Sequence, residues 1–400
     1  MAAISERTPD FSHGMTTIGF CTGLYAFFTA FDFVAVFPGV SVGRITAILL
    51  LMVLLFECSK ARVPKAKYVG AVFAFAFSCL AVLLLMRNPA SGLPGLMSYA
   101  LNIAVFILVV SLPLSSRDKI FCERMLVASA LLMCVLMVTN PGSVGNEWAT
   151  GRSVVNIFGS QQDPNQLCGY FIFAVAFCSY RAFAKGNFWL LLIVAFSFYA
   201  VLLTGSRGGL LANMSACVAG VFFGLSGTKH KMAYFAVVAG LFLLVALGVD
   251  EILSLLPPSV ASRFSSLSLD SGAGSLRFEA WEDVLGAYLS SDLIHQLFGH
   301  GYGSTMQVTF NGLVAHNTFI EVLYSFGMLG FLAFSLLLLF ALIAAFRKKN
   351  YALVAALVGF YLLIATLTDS SSKTLWVMLT LAFLDSDGEG VETTSGDGGR

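Results

Sequence analysis

Three positions combine side chains suited to group transfer with a place at the edge of an apolar run: Arg207, Arg277 and His316. Histidine is the usual general base near neutral pH, and the adjacent Asn317 can orient a sugar or a phosphate by hydrogen bonding. The planar guanidinium of arginine matches phosphate oxygens through two parallel hydrogen bonds. These residue types together indicate a reaction on a phosphate-bearing substrate.

Arg207 lies in the segment GSRGG, residues 205–209, between two apolar runs. The glycines permit a tight turn, and the free N–H groups at the start of the following helix favour an anion. The alternative of equal weight is a hairpin turn whose arginine only anchors the chain at the membrane interface.

Arg277 opens the segment 276–289, whose apolar residues recur at helical spacing and predict an amphipathic helix on or near the membrane. Those apolar residues are Trp281, Val284, Leu285, Tyr288 and Leu289. Arg277 falls on their face of the helix, which is unusual for a solvated arginine. The alternative is a snorkelling side chain with its charged head at the interface.

A metal centre is not expected. His295, His300 and His316 come without an H-E-x-x-H pattern or an accompanying set of cysteines and carboxylates. The eight cysteines include no C-x-x-C pair and are interpreted as small apolar residues without disulfides. The sequence therefore predicts no cofactor and no metal.

Composition points to a membrane protein. Of the 400 residues, 58% are hydrophobic and 11% are charged, whereas soluble domains are about one-quarter charged. The mean hydropathy is +0.85. A net charge of +1 gives no reason to expect a nucleic-acid partner. The lipid bilayer is the expected solvent.

The fold class expected is an all-α polytopic membrane protein, because apolar runs of about 20 residues recur along the chain. About twelve candidate spans, the last of them short, form a single membrane domain over residues 1–400. They are 16–38, 41–57, 68–86, 93–114, 121–139, 165–184, 187–204, 208–225, 232–249, 318–346, 351–368 and 373–384.

Basic residues concentrate in the connections that follow even-numbered spans, which places those connections and both termini in the cytoplasm. Residues 140–165, 204–209 and the large loop 250–316 are then expected to face outward. The acidic, glycine-rich tail 385–400 is expected to be a disordered cytoplasmic end.

The outer loops carry local signals of structure. Asp163-Pro164 ahead of an apolar run predicts a capped helix start. In the large loop, a second short helix is expected after 276–289, and GHGYGS at 299–304 is expected to be a flexible connection.

An outward site with two arginines, one histidine and no metal ligands suits a substrate that already carries a diphosphate leaving group in the membrane. The arginines would neutralise the departing diphosphate, and His316 would take the proton from an acceptor hydroxyl. A lone histidine at a helix start is more often an interfacial cap, but the two arginines on the same side favour catalysis.

The chain resembles the O-antigen ligase / O-antigen polymerase superfamily of bacterial membrane glycosyltransferases over about residues 140–335. His316 and Asn317, followed after nine residues by Gly327 and Gly330, are similar to one of its motifs. GSRGG at 205–209 and Arg277 with Trp281 are similar to two more. The segment 158–171 is similar to its element that opens a middle span. These motifs occur in the family's order and on one predicted face.

The resemblance implies transfer of a glycan from an undecaprenyl diphosphate-linked donor to a glycan or glycolipid acceptor, with inversion and without metal, in the bacterial inner membrane. Arg207 and Arg277 would bind the diphosphate, and His316 would be the base. The expected substrate-binding residues are Asn317, Trp281, Asn165 and Arg152. The motifs do not distinguish ligation from polymerisation, and the compact outer loop makes a protein acceptor less expected.

The rival interpretation is a transporter of polysaccharide or lipid-linked oligosaccharide, similar to a flippase. Twelve spans with both termini inside also describe many secondary transporters. In that case Asp32 is the best candidate for a charge at the midplane, with Arg44 as its partner. An assay for product from a lipid diphosphate glycan separates the two classes.

Overall fold

A computed structural model describes residues 14–61, 66–85, 89–143, 152–226, 258–265, 275–310 and 314–384, together with single positions at 232, 236, 240, 254 and 312. The described chain is mostly helical. The predicted span 232–249 lies almost wholly outside the described residues, and the tail 385–400 lies wholly outside them. In the loop 250–316, the positions outside the described residues are 250–253, 255–257, 266–274, 311 and 313.

The helices follow the predicted apolar runs, except that the helix in the predicted span 16–38 ends at Phe28 and a strand occupies Ala35–Phe37. The first nine are α1 (Thr17–Phe28), α2 (Val42–Phe56), α3 (Ala66–Leu85), α4 (Pro89–Ser111), α5 (Ser116–Thr139), α6 (Pro164–Leu167), α7 (Gly169–Lys185), α8 (Leu191–Leu203) and α9 (Arg207–Gly224). The loop and the C-terminal part add α10 (Pro258–Ser265), α11 (Ser275–Leu289), α12 (Leu293–Phe298), α13 (Thr318–Arg347), α14 (Tyr351–Ala365) and α15 (Lys373–Phe383).

Within the described residues, four helical segments are long and apolar enough to cross a membrane: Gly92–Ser111, Ser116–Thr139, Pro164–Lys185 and Thr318–Arg347. In the same described residues, six further apolar helical segments of 10–17 residues lie in other predicted spans. These lengths support a helical membrane protein.

The central helix of the bundle is α7, whose residues 169–179 are all buried. It packs against α9 and α14, and α15 packs against α13 and α4. Because α7 has no lipid-exposed face along this stretch, the segment that leads into it is held firmly at one end of the bundle. That end carries Asp163 and Asn165.

Helix starts follow local capping chemistry. Asp163 accepts hydrogen bonds from the backbone N–H groups of Asn165 (2.7 Å) and Gln166 (3.3 Å), and Pro164 occupies the first helical position. The predicted capped start is therefore confirmed. The helix α5 begins earlier than the predicted span start at 121, because Ser115 and Asp118 form a capping box that nucleates its first turn.

Two small antiparallel sheets lie outside the all-α prediction. One pairs β1 (Ala35–Phe37) with β2 (Val40–Ser41); the other joins β3 (Pro141–Ser143), β4 (Ser153–Ile157) and β5 (Ser160–Gln161). The turn from β4 to β5 has positive φ at Phe158 (50°) and Gly159 (79°). That geometry is typical of a tight hairpin, but Phe-Gly is not one of the dipeptides that predict a hairpin turn from sequence.

The helix α13 is broken at Gly327, where φ is 68° and ψ is −174°. The break frees the carbonyls of Tyr324 and Ser325, which accept the N–H groups of His300 (3.0 Å) and Gly301 (2.9 Å). The segment 299–304 is thereby fixed against α13. The prediction that it is a flexible connection is wrong, because the two carbonyls freed by the break in α13 hold its backbone in place.

Candidate active site

His316 lies immediately before α13 in a conformation rare for a side chain larger than glycine, with φ at 48°. Its Nδ1 atom is buried and has no hydrogen-bond partner among the described residues. Burial and the nearby positive charge of Arg277 lower the pKa of His316, and the carboxylate of Asp163 opposes that shift. The ring is therefore held neutral near pH 7, as a general base requires.

Asn317 caps α13. Its side-chain oxygen accepts the N–H groups of Phe319 (2.9 Å) and Ile320 (3.3 Å). This contact fixes the helix start next to His316. The role of Asn317 in binding substrate stays a prediction.

The helix α11 places Arg277 against the bundle. The Nη1 atom of Arg277 donates to the carbonyl of Thr366 at 3.3 Å, directly after α14. The indole N–H of Trp281 donates to the carbonyl of Ala315 at 2.6 Å, so α11 is fastened to the residue before His316. Trp281 thus contacts the backbone of Ala315, the residue that precedes His316.

The apolar face of α11 is narrower than the sequence indicates. Val284 and Tyr288 are buried, as is Ala280, but Leu285 and Leu289 are exposed. The helix turns its buried face toward α13, and the two exposed leucines remain available to lipid. Arg277 points along the buried side, which agrees with its predicted position.

Arg207 occupies the first position of α9 and is exposed. The hydroxyl of Ser206 caps the helix by accepting from the N–H of Gly209 at 3.1 Å. A Cβ at Gly208 would lie 2.5 Å from Oγ1 of Thr366, so this approach requires glycine. The start of α9 therefore lies against the same residue that Arg277 contacts.

Three distant motifs meet at residues 366 and 367. Gly208 packs on Thr366, Arg277 bonds to its carbonyl, and Thr318 donates to the carbonyl of Leu367 at 2.7 Å. Arg207 is adjacent to the first of these contacts, and His316 is two residues before Thr318. The structure thus brings the three predicted catalytic residues to one end of the bundle.

Arg152 and Asn165 form a buried network under α9. Arg152 donates through Nε to the carbonyl of Thr204 (2.7 Å) and through Nη2 to Oδ1 of Asn165 (2.8 Å). The same Oδ1 accepts from the hydroxyl of Ser206 at 2.8 Å. Arg152 is 7% exposed. These contacts position the turn that carries Arg207.

Replacing Asn165 with alanine should loosen this turn. The guanidinium of Arg152 and the hydroxyl of Ser206 would each lose one hydrogen-bond acceptor, and the loss of one hydrogen bond costs about 0.5–1.5 kcal/mol. We expect a lower midpoint of thermal unfolding and weaker donor binding. Asn187→Ala is the matched control, because Asn187 is exposed and makes no side-chain cap; equal effects of the two changes would contradict the role of the network.

A polar cavity beside the site was missed by sequence reasoning. It has a volume of about 190 Å³, and its lining includes Asp32, Gln162, Gln166, Tyr170, Asp369 and Lys373. One feature of the sequence could have indicated it, because TDSSSK at 368–373 is a polar run between two apolar helices. Burial raises the pKa of Asp369 to about 8, and the negative charges of Asp32 and Asp163 add to the shift.

Asp32 pairs with a different residue from the one predicted. Its Oδ2 accepts from the Nζ of Lys373 at 2.6 Å. Arg44 instead donates to the carbonyl of Gly39 and to the hydroxyl of Ser98. The predicted partnership between Asp32 and Arg44 is wrong, because β1 and β2 turn the start of α2 so that Arg44 reaches its own hairpin.

Two of the three histidines of the outer loop, His295 and His300, stack on each other with their ring centroids 4.5 Å apart. His295 pairs with Asp292 at 2.6 Å, and His300 bonds to the hydroxyl of Ser291 while it stacks on Tyr324. Among the described residues, no group of three or more histidine, cysteine, aspartate or glutamate side chains is arranged to hold a metal ion.

The fold and this cluster define a class: a helical membrane protein with a basic, histidine-bearing polar site at one end of its bundle. Residues 192–335 match the model of the O-antigen ligase family. The match confirms the resemblance to the O-antigen ligase / O-antigen polymerase superfamily and supports a polysaccharide-related enzyme of the bacterial inner membrane. No curated protein matches the chain.

The matched region contains Arg207, Arg277, Trp281, His316 and Asn317. Arg152 and Asn165 lie before it, and the segment 366–369 lies after it. The residues that support the site therefore come from both sides of the matched region.

Proposed function

We propose that this protein is a membrane glycosyltransferase that transfers a glycan from an undecaprenyl diphosphate-linked donor to a hydroxyl of a glycan or glycolipid acceptor. The observation that carries the proposal is the convergence of three segments at residues 366 and 367: Arg277 itself, Gly208 next to Arg207, and Thr318 two residues after His316. The charge of Arg277 also acts on His316. Two guanidinium groups suit a diphosphate, and a neutral histidine suits an acceptor hydroxyl.

The reaction needs two contributions from the chain. The arginines and the N–H groups at the start of α9 stabilise the negative charge that collects on the departing diphosphate. His316 removes the proton as the acceptor oxygen attacks the anomeric carbon. Attack from the face opposite the diphosphate inverts that carbon, and the arginines take the place that a divalent metal would otherwise occupy.

The proposed topology has about twelve spans, both termini in the cytoplasm, and the site on the outer face. The support is the distribution of basic residues in the connecting segments. In this proposed topology the site lies on the face where lipid-linked donors are presented for assembly of cell-surface polysaccharide.

Purified protein in detergent tests the proposal directly. Given an undecaprenyl diphosphate-linked oligosaccharide and an acceptor glycolipid, it should release undecaprenyl diphosphate and form a glycosidic product in the presence of EDTA. The product length separates ligation from polymerisation. Movement of the intact donor across a vesicle membrane, with no product formed, would support the transporter interpretation instead.

Turnover should show an acidic limb with a midpoint below the ordinary histidine pKa of about 6.5. The pKa of His316 is lowered by burial and by Arg277, so the base is neutral at pH 7 and is lost only as the pH falls through the lowered pKa. The negative charge of Asp163 raises the pKa of His316 and so opposes that shift. Asp163→Asn should therefore move the limb to still lower pH, while asparagine retains the helix cap.

Asp292→Asn is the matched control for that change. Asp292 is also a helix cap, on α12, and its ring partner is His295. Its replacement should leave the limb in place. A limb that moves upward in Asp163→Asn would contradict the assignment of the titrating group to His316.

A further inference from the structure

The polar cavity lies beside the proposed transfer site and has no part in the roles assigned so far. Its walls come from the segment after α1, from the start of α6 and α7, and from the connection 369–373 between α14 and α15. At about 190 Å³ it can admit a small polar group. Tyr170 and Phe33 add aromatic surface to a lining that is otherwise polar.

The charge of the lining is close to balanced. Asp32 is paired with Lys373 at 2.6 Å, and Lys373 is the cationic side chain in the lining. Asp369 has a pKa of about 8 and so carries a proton over most of its population near pH 7. A balanced cavity offers little attraction to a diphosphate or to a free cation.

The hydrogen-bonding capacity of the lining is high. Gln162 donates to Gln166 at 2.8 Å, which leaves further amide donor and acceptor positions on both residues. The carboxyl group of Asp369 supplies a donor and an acceptor when it is protonated. This pattern matches a ligand with several hydroxyl groups and an apolar ring face that can lie on Tyr170 or Phe33.

The cavity is mechanically joined to His316. The backbone N–H of Asp369 donates to Oγ1 of Thr318 at 3.0 Å, and Thr318 in turn donates to the carbonyl of Leu367 at 2.7 Å. Asp163 adds an electrostatic link, because its charge raises the pKa of both His316 and Asp369. One wall of the cavity is therefore bonded to the segment that directly follows the proposed base.

We propose that the cavity is a subsite for an uncharged sugar ring of one of the two glycan substrates. The inference rests on the proposed glycosyl transfer, because it gives the cavity a substrate of that reaction. The ring belongs either to the acceptor, with its attacking hydroxyl directed toward His316, or to the first sugar of the donor.

Saturation-transfer NMR on the full chain in lipid nanodiscs tests the subsite with methyl glucoside, N-acetylglucosamine and galacturonate as probes. The two neutral sugars should receive saturation, and galacturonate should receive little. Gln162→Ala should weaken neutral-sugar binding about tenfold, the effect of losing one or two hydrogen bonds. Gln307→Ala is the matched control, because Gln307 is exposed and lies outside the lining.

Asp369→Asn is a second variant in the cavity, and it shows whether any substitution there weakens binding merely by disturbing the fold. Asparagine resembles the protonated carboxyl group, so this variant should bind the neutral sugars within about twofold of the unaltered protein at pH 7. Absence of saturation in the unaltered protein, or equal saturation with galacturonate, would overturn the inference. Equal binding by Gln162→Ala would do the same.

Competition identifies the source of the ring. If the donor sugar occupies the cavity, the lipid-linked donor should displace methyl glucoside and undecaprenyl diphosphate alone should not. If neither displaces it, the acceptor is the source. Neutral-sugar binding in a protein that forms no glycosidic product would contradict the proposed function and leave the cavity assignment intact. Product formation without sugar binding would contradict the cavity assignment and leave the proposed function intact.

Discussion

Replacing His316 should lower turnover about 10²–10⁴-fold, the usual contribution of a general base, while the donor still binds. Donor affinity should persist because Arg207 and Arg277 remain. Asparagine is the better replacement, since it tolerates the positive φ of 48° that His316 adopts and removes the base without straining the backbone. Both quantities are measured on the same purified His316→Asn sample.

His295→Ala is the control for this experiment. His295 lies on α12 with Asp292 as its partner, and no step is assigned to it. Its replacement should leave turnover unchanged. Normal turnover in His316→Asn would end the assignment, and loss of both turnover and donor affinity would make His316 a ligand of the diphosphate.

Local sequence signals were sufficient wherever a few neighbouring residues determine the structure. Asp163 and Pro164 start a helix because a side-chain oxygen and a fixed φ act within one turn. The apolar runs form helices because bilayer-like surroundings require every backbone group to be bonded within its own segment. The positions of Arg207, Arg277 and His316 at segment edges could be read in the same way.

Contacts between distant residues could not be read from one sequence. Asp32 and Lys373 are 341 positions apart, and nothing local distinguishes Lys373 from Arg44 as the partner. The cavity that both residues line is likewise formed only when the segment after α1, the start of α6 and α7, and the connection 369–373 meet. Residues in it were therefore absent from the predicted site.

Arg152 and Asn165 show a second limit on predicting a site from one sequence. Both were predicted to bind substrate, and both lie at the correct end of the bundle, but their polar atoms bond to each other and to the turn before Arg207. A polar residue in an outer loop carries the same sequence signal whether it contacts substrate or supports a neighbour. Only the bonded partners distinguish the two, and a direct contact of either residue with substrate stays a prediction.

Replacing Arg277 with lysine should lower donor affinity and turnover together, by about 10²–10³-fold in kcat/KM, the usual effect of removing one donor to a developing charge. Lysine keeps the positive charge but loses the planar fork that can hold Thr366 and a phosphate oxygen at once. Arg347→Lys is the control, because Arg347 is exposed at the far end of α13. A fully active Arg277→Lys would favour the snorkelling interpretation.

The same variant distinguishes binding from positioning. If Arg277 only holds the carbonyl of Thr366, the midpoint of thermal unfolding should fall and affinity for undecaprenyl diphosphate should not. If it binds the diphosphate, its effect should be coupled to that of Arg207→Lys, because both guanidinium groups then contact one ligand. The double variant would depart from the sum of the two single changes by roughly 0.5–3 kcal/mol, whereas independent sites add within about 0.5 kcal/mol. Additive losses would place the two arginines on separate parts of the substrate, with one diphosphate ligand still to be found among the polar residues near Thr366.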